Sequence, residues 1–150
     1  MEGDLDMTLY FDMDGTIADL YGVENWLAYL QEKNPFPYEN AKPLVNMASL
    51  ARILNRLQKQ GYEIGIISWL AKNSTENYDN AVTEAKKNWI KKHMPSVKFD
   101  IIHIVKYGTP KENFSDSVLD ILFDDEEKNC VNWSGVAYNP ENMMEILKAL

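Results

Sequence analysis

A single cysteine, Cys130, occurs in 150 residues. No disulfide can therefore close within the chain, and a reducing compartment is the simpler setting. Long apolar runs are missing as well: none approaches the ~18 residues that a membrane-spanning helix requires. Basic residues are few, 15 Lys and Arg against 23 Asp and Glu, for a net charge of −8. That balance argues against extended nucleic-acid binding, which is driven by neutralising phosphates with Lys and Arg. The opening "MEGDLDMTLYFD" is acidic and lacks the basic region that precedes the apolar core of a secretory signal. Repeats and low-complexity tracts are absent too. The expectation is a soluble, cytoplasmic protein without a membrane partner.

What is present points to one folded domain over 1–150. Apolar residues make up 45% and charged residues 25% of the chain, as in ordinary globular proteins. Four short runs read as strands buried on both faces: "MTLYFD" (7–12), "EIGIIS" (63–68), "FDIIHIV" (99–105) and "LDILFD" (119–124). "GVAYN" at 135–139 is a weaker fifth. Leu50, Ile53, Leu54 and Leu57 follow a helical period that ends near Gly61. Tyr78, Val82, Ala85 and Trp89 form a second stripe within 75–93, whose lysines Lys86, Lys87, Lys91 and Lys92 read as a solvated, dipole-complementing helix end. A last helix is capped by Asn139 with Pro140 in its first turn and turns Met143, Ile146, Leu147 and Leu150 inward. Strands alternating with helices imply an α/β, Rossmann-like three-layer sandwich with a mostly parallel central sheet. Residues 20–46 read either as a small helical cap over the strand ends or as an ordinary packed helix and loop, with the prolines of "PFPYENAKP" breaking regular structure.

In such sheets ligands bind at the carboxyl ends of the strands, where Asp12, Ser68 and Asp124 fall. "DMDGT" fails as a calcium loop: counted from Asp12, Gly15 is fourth rather than sixth, and Val23 stands where a bidentate acid is required. Mg²⁺-assisted phosphoryl transfer accounts better for the residues. Asp12 is placed to attack phosphorus, Asp14 to exchange protons with the leaving oxygen and with water, and Gly15 to permit a sharp turn that brings backbone donors to phosphate. Asp124 and Asp125 in "ILFDDEEKN" read by themselves as a helix cap with first-turn acids, but beside Asp12 and Asp14 they call for a divalent cation. Ser68 offers a hydroxyl, and Lys106 and Lys111 compete to offset phosphoryl charge. Trp26, Tyr29, Phe36, Tyr38 and Trp69 are aromatics near the entrance, fit for lid packing or for stacking on a base. Cys130 reads as inert filling.

With these pieces in order, the sequence resembles the haloacid dehalogenase (HAD) superfamily of phosphohydrolases. "FDMDGT" matches its nucleophile motif, "IIS" of "IGIISW" its hydroxyl motif, a lysine its third motif and "ILFDD" its acidic metal motif, over about residues 7–125. The resemblance implies Asp12 as nucleophile, Asp14 as general acid/base, Ser68, Gly15 and Thr16 as phosphate ligands, and Mg²⁺ held by Asp12, Asp124, Asp125 and the Asp14 backbone carbonyl. "AKKNWIKKHMP" ahead of a strand and "GTPK" is similar to the 5′(3′)-deoxyribonucleotidase group, which favours Lys111 over Lys106 and implies a small phosphomonoester such as a (deoxy)nucleoside monophosphate. Two places differ from that group: Trp69 follows the motif serine where a small residue is usual, and the insertion after the first motif is shorter. The alternatives are a phosphatase of non-nucleotide esters and a non-catalytic module that retains a metal.

Overall fold

The computed structural model describes residues 7–150. Its centre is a sheet of five parallel strands: β1 (Thr8–Phe11), β4 (Glu63–Trp69), β5 (Ile101–Val105), β6 (Ile121–Phe123) and β7 (Val136–Tyr138), in the spatial order β5-β4-β1-β6-β7. The three middle strands are almost continuously apolar because both of their faces are covered. The chain moves outward from β1 through β4 to β5, then returns to the other side of β1 for β6 and β7. A reversal of this kind opens a crevice at the carboxyl end of β1.

The helices pack unequally on the two faces. Leu9, Phe11, Ile64, Ile66, Ile121 and Phe123 point into the larger core, with α3 (Met47–Lys59), the C-terminal half of α4 (Glu76–His93) and α6 (Met143–Ala149). Tyr10, Ile67 and Leu122 face the other way, onto Trp133 just past α5 (Glu127–Asn132) and onto Phe114 in a 3₁₀ turn, Lys111–Phe114. Leu50, Leu54 and Leu57 of α3 are wholly buried, each stabilising the fold by about 1.5–3 kcal/mol on area grounds. The Asn46 side chain caps α3 by accepting from Ser49 N at 3.0 Å, and Gly61 takes φ +104° beyond its end. Thr75 caps α4 in the same manner, accepting from Tyr78 N.

Two expected strands are shorter than their apolar runs, and for the same reason. Asp120 turns back to accept from Thr8 N at 2.9 Å, and Asp100 accepts from Ile64 N at 2.8 Å. Each carboxylate serves an N–H at or next to the start of the neighbouring strand, so its own strand begins at the following residue, two later than the expected run. The weak candidate at 135–139 is a true strand, β7, on the sheet edge.

Residues after β1 leave the sheet through a narrow neck, the antiparallel pair β2 (Ala18–Asp19) and β3 (Lys42–Pro43). Between them lie a 3₁₀ turn, Leu20–Gly22, and two short helices, α1 (Trp26–Gln31) and α2 (Phe36–Asn40). The second helix corrects the expectation that "PFPYENAKP" is irregular. Pro35 occupies the cap position and Pro37 the first turn, where a missing N–H costs nothing, and the Pro35 carbonyl accepts from Tyr38 N and Glu39 N.

Candidate active site

The first turn after β1 brings four functional groups to the middle of the sheet. Asp12 N continues the ladder by donating to Phe123 O at 2.9 Å, which fixes the Asp12 carboxylate just past the strand end. Both of its oxygens have donors: Lys111 Nζ on Oδ1 at 2.9 Å and the Thr16 hydroxyl on Oδ2 at 3.1 Å. The Met13 carbonyl accepts from the N–H groups of Thr16, Ile17 and Ala18, tying a tight loop around Gly15. Gly15 has φ +84°, and a Cβ there would collide with the Asp125 carboxylate. The glycine is therefore required twice, by its backbone conformation and by the space that Asp125 fills.

The donors expected to cradle phosphate make hydrogen bonds within the loop in this structure. Gly15 N donates to Ala18 O at 2.8 Å, Thr16 N to Met13 O, and the Thr16 hydroxyl to Asp12. The donors of both residues are committed inside the loop, so here Thr16 orients Asp12 and Gly15 makes room for Asp125.

Asp124 lies just beyond β6 and is almost fully buried. Its Oδ2 accepts from Lys111 Nζ at 2.7 Å and from Asn129 Nδ2 at 3.1 Å, and its Oδ1 from Glu126 N at 2.9 Å. Of the two lysines, Lys111 is buried between Asp12 and Asp124, whereas Lys106 is exposed and does not line the cavity. Asn129, on the next turn of chain, is a site residue that the sequence reading did not name.

Carboxylate oxygens of Asp12, Asp124 and Asp125 lie within 4.8 Å of one another. Such crowding disfavours three simultaneous negative charges. Burial, then the charge of Asp12, raises the Asp124 pKa to about 6, against the pull of Lys111. Asp125 faces the cavity yet is raised to about 8, first by partial burial and then by its contact with Asp12. Asp14 is also raised, by burial above all, with Lys86 pulling it down and Asp12 pushing it up. For Lys111, burial would lower the pKa, but Asp12 and Asp124 reverse that and raise it. Four carboxylates against two ammonium groups leave two negative charges, and the hard-oxygen donor set fits one divalent cation such as Mg²⁺.

The second ammonium is Lys86, which the sequence reading assigned to a solvated helix end. In the structure it is 1% exposed and points inward from α4. Its Nζ reaches Asp14 Oδ2 at 3.0 Å, Ser68 Oγ at 2.6 Å and Trp69 O at 2.6 Å, and lies 5.1 Å from the Tyr38 ring centroid. Lys87, Lys91 and Lys92 are exposed as expected. Ser68 is fully buried, and the residues lining the cavity do not include it.

Above this floor opens a cavity of about 490 Å³. Tyr21, Trp26, Tyr38, Trp69 and Tyr107 contribute aromatic rings to its wall, beside leucines and the lysines Lys33 and Lys72. Trp69 is held by its indole N–H on Thr109 O at 2.8 Å and packs against Tyr107, their centroids 5.1 Å apart. Of the expected entrance aromatics, Tyr29 and Phe36 lie outside the wall and stack on each other. Tyr21 and Tyr107 take their place.

No protein-family model and no curated protein matches the chain. Among solved structures it is similar to that of the D,D-heptose 1,7-bisphosphate phosphatase from Burkholderia thailandensis, at 13% identity and a TM-score of 0.49, over 83% of this chain and 70% of that one.

Proposed function

We propose that the chain is a Mg²⁺-dependent phosphomonoesterase of the HAD type, working through an aspartyl-phosphate and acting on small phosphomonoesters with a flat leaving group, such as (deoxy)nucleoside monophosphates. The observation that carries this reading is the clamped Asp12 carboxylate at the end of the central strand, with Asp14 beside it and Lys111 bridging it to Asp124. Asp12, Asp124 and Asp125 would hold the cation, with the Asp14 main-chain carbonyl as a further oxygen. Bound there, Mg²⁺ supplies charge neutralisation for the phosphoryl oxygens.

Asp12 attacks phosphorus, and the bond from phosphorus to the ester oxygen breaks. Asp14 gives its proton to that departing oxygen, a task suited to a carboxyl whose pKa burial has raised. Water then attacks the aspartyl-phosphate while Asp14 takes a proton back, releasing inorganic phosphate and restoring Asp12. Lys111, with two N–H groups on carboxylates, has a third to place on a phosphoryl oxygen. The size of the cavity and its aromatic wall support a planar leaving group over a purely polar one.

Phosphate release from a panel of nucleoside monophosphates and sugar phosphates with Mg²⁺ tests the reading. The expected result is turnover favouring nucleotides, with Asp12→Asn lower by on the order of 10³-fold or more. Equal rates for wild type and Asp12→Asn would remove the mechanism. A preference for sugar phosphates would keep the mechanism and overturn the substrate.

A further inference from the structure

Lys86 is a buried cation to which the four motifs around Asp12, Ser68, Lys111 and Asp124 assign no role. An ammonium group has three N–H bonds, and here each has an acceptor: Asp14 Oδ2, Ser68 Oγ and Trp69 O. Two of these acceptors belong to the end of β4, a rigid strand of the central sheet, and the third belongs to the loop after β1. The Tyr38 ring closes the remaining side. A lysine so saturated has no donor left for a substrate, so its effect must pass through a neighbour.

Two of its three partners line the cavity, Asp14 and Trp69, but of these only Asp14 meets the ammonium through its side chain. Asp14 is among the lining residues and Ser68 is not, while Trp69 enters the contact through its backbone carbonyl alone. We infer that Lys86 is a positioning residue: Ser68 and the Trp69 carbonyl seat its ammonium, and the ammonium in turn holds the Asp14 carboxyl in the orientation from which it serves the leaving oxygen. On this reading Ser68 is an anchor of the lysine. The loop carrying Asp14 turns tightly about Gly15, and Lys86 supplies the side-chain donor that orients its carboxyl at the cavity floor. A lost orientation of that kind costs rate directly, because proton transfer needs hydrogen-bond reach in the transition state.

The inference rests on the phosphomonoesterase reading above, and its test separates the two. Turnover is compared between an alkyl phosphate, whose departing alkoxide needs a proton, and p-nitrophenyl phosphate, whose phenolate leaves without one. Lys86→Met is expected to lower kcat on the order of 10²-fold for the alkyl ester and by less than about 10-fold for the aryl ester, with KM changed little for either. Ser68→Ala should show the same selectivity in weaker form, and adding it to Lys86→Met should cost nothing further. In an Asp14→Asn background, Lys86→Met should have no additional effect on the alkyl ester. Should Lys86→Met fail to fold, Lys86→Arg keeps the buried charge but its planar fork cannot meet three divergent acceptors, and the same selectivity is expected.

Equal losses on the two esters, or full additivity with Ser68→Ala, would overturn the positioning role. Calorimetric titration with tungstate in the presence of Mg²⁺ needs no turnover: unchanged affinity in Ser68→Ala supports the anchor role, and a tenfold loss would return Ser68 to direct anion binding. Failure of the broader reading looks different, since wild type and Asp12→Asn would then be alike on both esters.

Discussion

The floor of the cavity and its wall are built by opposite means. Every group on the floor sits within a residue or two of a strand end or is pinned by a buried partner. Asp12 is held by Lys111 and Thr16, Asp124 by Lys111, Asn129 and Glu126 N, and Asp14 by Lys86. Apart from Trp69 at the end of β4, the wall comes from short helices and loops, with left-handed residues at Asn25, Lys33 and Asn73, and with Tyr21, Leu27 and Tyr107 more than half exposed. Electrostatic work needs fixed distances, which a parallel sheet supplies at its strand ends. Choice of leaving group needs only a shaped apolar surface, which loops supply and can vary without touching the floor.

The sharpest way to break the contrast is to remove the floor's central cation. Lys111→Met leaves Asp12 and Asp124 buried without their counter-charge, and a loss of about 3–5 kcal/mol is expected in urea melts of the metal-free protein. A shift below about 1 kcal/mol would mean that the floor is not tightly coupled. Next comes the response to pH. Because the carboxyls of Asp124 and Asp125 titrate near 6 and near 8 when folded rather than at 3.8, the metal-free native state keeps protons that the unfolded chain has released. Its Tm should therefore fall as pH rises from about 4 through 8, and Mg²⁺ should flatten the slope. A Tm that rises over that interval in EDTA would contradict the crowding.

The smallest effects belong to the wall. Trp26→Ala should raise KM for a nucleoside monophosphate by about 3- to 10-fold at nearly constant kcat, the scale of one aromatic contact. Tyr29→Leu, removing a ring that stacks on Phe36 and does not line the cavity, should leave KM within about 2-fold. If the two substitutions acted alike, the division between wall and exterior would be lost.

How far the sequence alone reveals this arrangement depends on which physical signal each part emits. The strands around Asp12 and Asp124 are legible because apolar runs end abruptly in acids, and the topology then requires those ends to meet. The helical stripes through Leu50 and Leu57 and through Tyr78 and Trp89 are equally plain. Lys86 is hidden by its neighbours: among four lysines in seven residues, solvent is the default reading. Yet the spacing 78, 82, 86, 89 carries the buried stripe straight through it. The wall is not legible, since Tyr107 lies in the loop after β5, nearly forty residues from Trp69, and only the pairing of β4 with β5 brings the two together. Proline count misleads at α2, where position within the first turn matters more than number.

The segment between Asn34 and Ala41 has one more property. Its two ends are sewn to the same helix: the Tyr78 hydroxyl donates to Asn34 O at 2.9 Å, and the Trp89 indole donates to Ala41 O at 2.8 Å. The two stitches lie eleven positions apart along α4, Tyr78 and Trp89, so α2 lies along the helix like a bar bolted at both ends. Swinging it aside would break both bonds together. The two bonds thus fix α2 against α4 at both of its ends, and with it Tyr38, the residue by which α2 reaches the cavity wall.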